Sequence, residues 1–231
     1  VSCEHATASV PARYRTVFES RAARAALASH RGVDFGAVQL ARQLARATGA
    51  TVLAARATRL LADPNRSRHH PRLFSEWSRS LPPAERAAIL AHWWQPHRAA
   101  VEAAARELTA RGTVVHVSSH SFTPVWDGAD RGIDVALLYD PARRRERAFA
   151  DRWLTAIRRE RPDLRLARNR PYRGNADGLT TSLRRALPAA RYLGLELEVS
   201  QRFPLGPPAP WTELRAAICR AFLAAVPSTT R

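Results

Sequence analysis

Apolar runs of strand length alternate with helix-period segments along this chain, a pattern that builds a largely parallel sheet covered by helices on both faces. The sharpest junction is Gly112, which stops a helix immediately before the β-branched run that opens at Thr113. Strands are predicted at Thr51 to Ala57, Thr113 to Ser119, Ile133 to Tyr139, Leu164 to Arg168 and Leu193 to Ser200, with Val1 to Cys3 the stub of another. Helices are predicted at Asp34 to Thr48 with Asp34 as the cap, Pro83 to Arg111, Arg145 to Glu160, and Trp211 to Ala225. No internal repeat or domain linker interrupts the pattern, so residues 1–231 are expected to form a single domain, with the Pro-rich Phe203 to Pro210 a rigid connector into the last helix.

Composition narrows the function classes. Apolar residues make up 45% of the chain and charged residues 25%, which fits a globular domain and neither a disordered chain nor a fibre. No apolar run approaches the length that spans a membrane. The net charge of +17 suggests a polyanion partner, but all 37 basic residues are Arg, Ala is over-used and Met is absent, a joint bias that looks like GC-rich coding. The arginines are scattered and several sit one helical turn from an acid, Arg106 after Glu102 for example, so a solvated surface and no nucleic-acid partner is expected. Cys3 and Cys219, without metal or disulfide spacing, point to a reducing, cytoplasmic setting. No signal peptide is visible, and Val1 reads as mid-strand, so a trimmed natural N-terminus is expected.

In a sheet of this kind polar chemistry collects beyond the carboxyl ends of the strands. Glu4 and His5 follow the first stub; Arg59 and Asp63-Pro64-Asn65-Arg66 follow the second strand; His120-Ser121 follows the third; Glu196 and Glu198 lie on the last. Two imidazoles and a carboxylate converging on one point make a catalytic zinc site with a position open for water. Glu4-His5 alone could be a surface pair, and His120 a satisfied core histidine. Glu196 and Glu198, two apart, share one face of their strand; on an edge strand that face is simply solvated, whereas inside a covered sheet two carboxylates need cations, a metal or a proton-transfer task. Asn65-Arg66 is either an ordinary turn or a fork for a substrate carboxylate. The polar loop from Asn169 through Arg173 to Asp177-Gly178 is either a binding loop or a plain connection. His92 with His97 and the pair His69-His70 lack a carboxylate at ligand spacing, and Trp93-Trp94 reads as core. Gly-rich phosphate loops, GxSxG and HExxH are all missing.

Taken in order, Glu4-His5-Ala6, His30 with Asp34-Phe35-Gly36-Ala37, Arg59-Leu60 leading to Asp63-Pro64-Asn65-Arg66-Ser67, His120-Ser121-Phe122-Thr123-Pro124, Pro171-Tyr172-Arg173-Gly174 through Asp177-Gly178, and Glu196-Leu197-Glu198-Val199 resemble the N-formylglutamate amidohydrolase family. That family is similar to the zinc carboxypeptidases and aspartoacylases. The resemblance implies a zinc-dependent exopeptidase-like fold: a three-layer α/β/α sandwich around a mixed, largely parallel sheet of about eight strands. It also implies hydrolysis of a small N-acyl amino acid next to a free carboxylate. By the same resemblance Asn65 and Arg66 hold the substrate carboxylate, with Arg173 and Asp177 beside them; Arg59 polarises the scissile carbonyl; and Glu198 is the general base, with Glu196 its alternate. One Zn2+ would be held by Glu4, His5 and His120, with His30 and Asp34 as alternates. The relatives present their first two ligands as His-x-x-Glu, where this chain has Glu4-His5.

Overall fold

The computed structural model describes residues 1–226. Its strands are β1 (Ser2–Cys3), β2 (Leu53–Ala54), β3 (Val114–Phe122), β4 (Val125–Trp126), β5 (Ala129–Asp130), β6 (Val135–Leu138), β7 (Leu166–Arg168) and β8 (Tyr192–Ser200). Its helices are α1 (Arg21–Leu27), α2 (Ala37–Thr48), α3 (Glu76–Arg79), α4 (Pro83–Ile89), α5 (Gln95–Arg111), α6 (Arg144–Glu160), α7 (Leu179–Ala186) and α8 (Pro208–Ala225). Six strands form one mixed sheet in the order β2-β1-β3-β8-β6-β7, rather than the eight expected. The first four run parallel, whereas β6 is antiparallel to β8 and β7 parallel to β6. β4 and β5 make a separate hairpin.

The long pair β3 and β8 organises everything else. They stay in register from Val114 opposite Tyr192 to Phe122 opposite Ser200, so period-two alternation sorts their side chains onto two faces. Val117, Leu193, Leu195, Leu197 and Val199 fall on one face and are buried with Leu40 and Leu44 of α2, Trp153 and Ile157 of α6, and Leu214, Ile218 and Phe222 of α8. Each fully buried aliphatic side chain there contributes roughly 1.5–3 kcal/mol by the area rule. The opposite face carries His116, Ser118, His120, Tyr192, Glu196 and Glu198, and Tyr192 is covered by Val101 and Ala105 of α5 with Leu179 and Leu183 of α7. Helices thus flank both faces; one face supplies the apolar core and the other a buried polar row.

Several boundaries differ from the predicted ones. β3 runs on through Phe122, because β8 pairs with all nine of its residues; His120 therefore lies inside the strand rather than after it. β2 shrinks to two residues because β1, the strand it pairs with among the described residues, is equally short. The helix predicted over Pro83 to Arg111 is interrupted by a wider π turn at Leu90–Trp94, just ahead of Pro96, which has no N–H to continue the ladder. Asp34 is not a helix cap: α2 starts at Ala37 behind Gly36, whose φ of 78° is left-handed, and the Asp34 side chain turns inward. Among the described residues no helix is long and apolar enough to cross a membrane. Cys3 and Cys219 are free and buried.

Candidate active site

The four parallel strands bring their carboxyl ends together, and the loops beyond them enclose a cleft of about 860 Å³. At its floor the side chains of His5, Asp34 and His120 converge, each offering a ligand atom within 4.8 Å of the others. Asp34 Oδ2 is 3.1 Å from His5 Nδ1 and 2.9 Å from His120 Nδ1, and it also accepts from the Ser121 amide at 3.3 Å. The outer nitrogens are held in turn: His5 Nε2 is 2.8 Å from Asp63 Oδ1, and His120 Nε2 is 3.0 Å from Glu4 Oε2 and 2.9 Å from Ser118 Oγ. Ser118 also donates to Glu4. Each imidazole therefore points one nitrogen at the cluster and has the other fixed by a carboxylate, the arrangement that orients histidine ligands of a metal.

This corrects one expectation. Asp34, not Glu4, is the carboxylate that joins the two histidines. Glu4 and His5 lie in the turn after β1; His5 reaches Asp34 and Asp63, whereas Glu4 passes behind His120 to its far nitrogen. His30, the other alternate, is exposed and packs edge-on against Trp126 with ring centroids 6.4 Å apart.

The charge balance fits a cation. Glu4, Asp34 and Asp63 are buried in one cluster whose fixed cation is Arg59, which donates to Asp63 Oδ2 at 2.8 Å and lies 3.4 Å from Asp34 Oδ1 and 3.0 Å from His5 Nδ1. Burial alone would raise the Asp34 carboxyl, but His5 and His120 outweigh it and hold it well below the usual carboxylate range. Two imidazole nitrogens and one carboxylate oxygen, buried and open to a cleft on one side, are donors that suit zinc or a similar divalent ion.

The two strand carboxylates have separate fates. Glu196 accepts a hydrogen bond from Thr180 Oγ1 at 2.7 Å. Glu198 is buried, and among the described residues its Oε2 has no hydrogen-bond partner. Burial first, then the charges of Asp34 and Glu196, push its carboxyl up to about 8 against the pull of His120 and Arg59. Glu198 is thus the uncommitted carboxylate, facing the cleft opposite His120 in the register.

The Asn65-Arg66 turn lines the same cleft. Asn65 Oδ1 accepts from the Leu179 amide at 2.7 Å, serving as a cap for α7 from outside the helix, so its amide nitrogen stays available. Arg66 reaches the Asp177 carbonyl at 3.3 Å, and the Asp177 carboxylate accepts from the Ser67 amide at 2.9 Å, tying the two loops together. Arg173 is exposed on the cleft wall. Asp63, Ser118 and His97 were not visible as site residues: Asp63 reads as half of a turn-forming Asp-Pro, Ser118 as a strand residue, and His97 meets its carboxylate, Glu4, only through tertiary packing. The loop Gly178, which would bring a Cβ within 3.1 Å of Asn65 Oδ1, was the one local sign of this close approach.

Polar groups at the carboxyl ends of parallel strands, with an uncommitted buried carboxylate beside a histidine-carboxylate cluster, mark the chain as a hydrolase of the α/β class. It belongs to the N-formylglutamate amidohydrolase family, whose model matches residues 1–203. The gene product Atu2144 from Agrobacterium tumefaciens has a similar structure, with a TM-score of 0.79 and 29% identity over 97% of this chain and 87% of that one. The N-formylglutamate amidohydrolase from Ralstonia eutropha JMP134 shares the fold, with a TM-score of 0.70 and 19% identity over 96% of this chain and 90% of that one. No curated protein matches the chain at a significant level.

Proposed function

We propose that the chain hydrolyses the amide bond of N-formyl-L-glutamate, or of a close N-acyl amino acid, to the free amino acid and the acid. The observation that carries this reading is the unpartnered Oε2 of Glu198, buried at the cleft that holds His5, Asp34 and His120, in a chain of an amidohydrolase family. His5, Asp34 and His120 would hold one divalent ion, zinc by its donors, which when bound lowers the pKa of a water and polarises a carbonyl. Glu198 takes a proton from the attacking water as the new C–O bond forms, and gives it to the leaving nitrogen as the C–N bond breaks. Burial serves the second half of that task, because it favours the protonated carboxyl that hands its proton to the amine, while a bound cation would favour the carboxylate needed for the first half. Arg59, already fixed by Asp63, donates to the scissile oxygen as negative charge develops there.

Arg66 and the free amide nitrogen of Asn65 hold the substrate carboxylate, with Arg173 available for the second carboxylate of a glutamyl substrate. Asp177 positions Arg66 by joining its loop to the start of α7. Glu196, engaged by Thr180, acts on Glu198 through its charge. The partner in this reading is a small molecule in the cytoplasm, with neither nucleic acid nor membrane involved.

The test is formate release from N-formyl-L-glutamate by zinc-loaded protein, with a chelated sample alongside. Chelator-sensitive release is expected. Equal release from both samples would remove the metal. No release from folded, zinc-bound protein would remove this substrate and move the reading to another N-acyl or formimino amino acid.

A further inference from the structure

A second cavity, of about 570 Å³, opens at the β2 edge of the sheet and shares no lining residue with the catalytic cleft. Its walls are largely apolar, with Val52, Leu53 and Ala100 among them, and four nitrogen-bearing side chains line it: Arg56, Trp93, His97 and His92, the last held by the Ala88 carbonyl at 2.7 Å from its Nδ1. Among the described residues the indole Nε1 of Trp93 is buried without a hydrogen-bond partner, whereas Nε2 of His97, a side chain only 6% exposed, is turned to Glu4 Oε1 at 3.6 Å. Arg56 is exposed and, among the described residues, belongs to no ion pair. Native folds seldom leave buried donors unpaired, because the lost hydration is not recovered. The wall that carries Trp93 is the π turn at Leu90–Trp94, and such turns inside helices recur at functional sites.

The cavity also reaches toward the catalytic cluster. His97 Nε2 is 3.6 Å from Glu4 Oε1, which is itself buried without a partner, and the other oxygen of Glu4 is 3.0 Å from His120 Nε2. One imidazole and one carboxylate thus separate the second cavity from a proposed metal ligand.

We propose that this cavity is a second ligand site, built for a small organic carboxylate with an apolar body. Trp93 and Arg56 can only donate, so an occupant that pairs with both must bring acceptors. The guanidinium calls for negative charge in a planar, forked acceptor, the walls call for an apolar body, and the volume lies in the usual range for small-molecule sites. Binding is read without turnover, so the proposal stands or falls apart from the hydrolytic reading.

The experiment is a titration of the full chain with benzoate, followed in 1H–15N spectra through the indole N–H signals of its 6 tryptophans, with Trp93→Phe identifying the signal of Trp93. Saturable movement of that signal is expected with benzoate but not with benzyl alcohol. Arg56→Gln, a surface change that leaves the fold intact, should weaken benzoate about tenfold or more, as loss of a charge-assisted hydrogen bond does. Arg66→Ala, in the catalytic cleft, should leave the titration unchanged. A Trp93 signal that stays still through the millimolar range, or that moves equally with benzyl alcohol, overturns the proposal. So does a response abolished by Arg66→Ala and untouched by Arg56→Gln, which would place the carboxylate in the catalytic cleft.

Discussion

Two glutamates on one strand face show how a single neighbour divides roles. Thr180 donates to Glu196, while Glu198, two residues on, keeps an oxygen without a partner. Glu198→Gln should therefore leave zinc content unchanged and lower kcat by about 10²-fold or more, the usual scale of general acid-base work. Metal analysis and formate release on the same preparation check this, and near-normal turnover would transfer the role to Glu196. Arg66→Ala should raise KM with kcat nearly constant if the guanidinium binds ground and transition states alike; an unchanged KM would take Arg66 out of the site. That His5, His120 and Glu198 come to line one cleft was legible in the sequence, because all three lie near the carboxyl ends of parallel strands, His120 and Glu198 within them. The choice between Glu4 and Asp34 was not, since it depends on which nitrogen of His120 each carboxylate reaches, a fact of packing between segments far apart in the chain.

At the scale of elements, long periodic segments were legible and short ones were not. The helices α2, α5, α6 and α8 and the strands β3 and β8 all follow from period and punctuation. α7 was missed: its eight residues include two threonines and a serine, poor helix formers, and its first amide is capped by Asn65 from another loop. α2 illustrates how an element delivers a site residue. Gly36, at φ 78°, ends the loop so that the helix begins at Ala37 and the Asp34 carboxylate is free to reach both histidines. A Cβ at Gly36 would lie 2.6 Å from Pro204 Cβ and 2.8 Å from Trp211 Cζ2, in addition to the left-handed backbone it would have to adopt. Gly36→Ala should cost about 1–3 kcal/mol of stability, the range for overpacking and strained backbone. Urea unfolding measures that loss, and zinc affinity measured alongside should fall with it, because Asp34 is two residues away. Stability within error of wild type would show that the α2 to α8 contact yields readily.

For the molecule as a whole, the buried polar face makes stability depend on pH, and two of its groups, His116 and Glu198, act with opposite sign. Burial, with the N-terminal charge adding to it, pulls His116 down to about 3, where it sits neutral between Ser2 and Tyr192. Unfolding lets it take up a proton below about 6.5, so its contribution to stability is complete above that pH and is lost as pH falls toward 3. Glu198, pushed up to about 8, keeps a proton in the folded state that the unfolded chain releases above about 4.5; its contribution is present at low pH and is lost as pH rises toward 8. Each proton is worth at most about 1.4 kcal/mol per pH unit, so in metal-free protein the two slopes oppose one another between about 4.5 and 6.5. Replacing Glu198 by Gln removes one of them. Urea unfolding of chelated protein at pH 5, 6.5 and 8 should therefore show Glu198→Gln gaining stability relative to wild type as pH rises, with the largest gap at pH 8. Zinc should narrow that gap, because a nearby cation favours the Glu198 carboxylate in the folded state and lowers the pH at which it ionises. Parallel curves for the two chelated proteins would mean that the Glu198 carboxyl ionises in the fold as it does in the unfolded chain, and with that the case for it as a proton carrier to the leaving amine would fail.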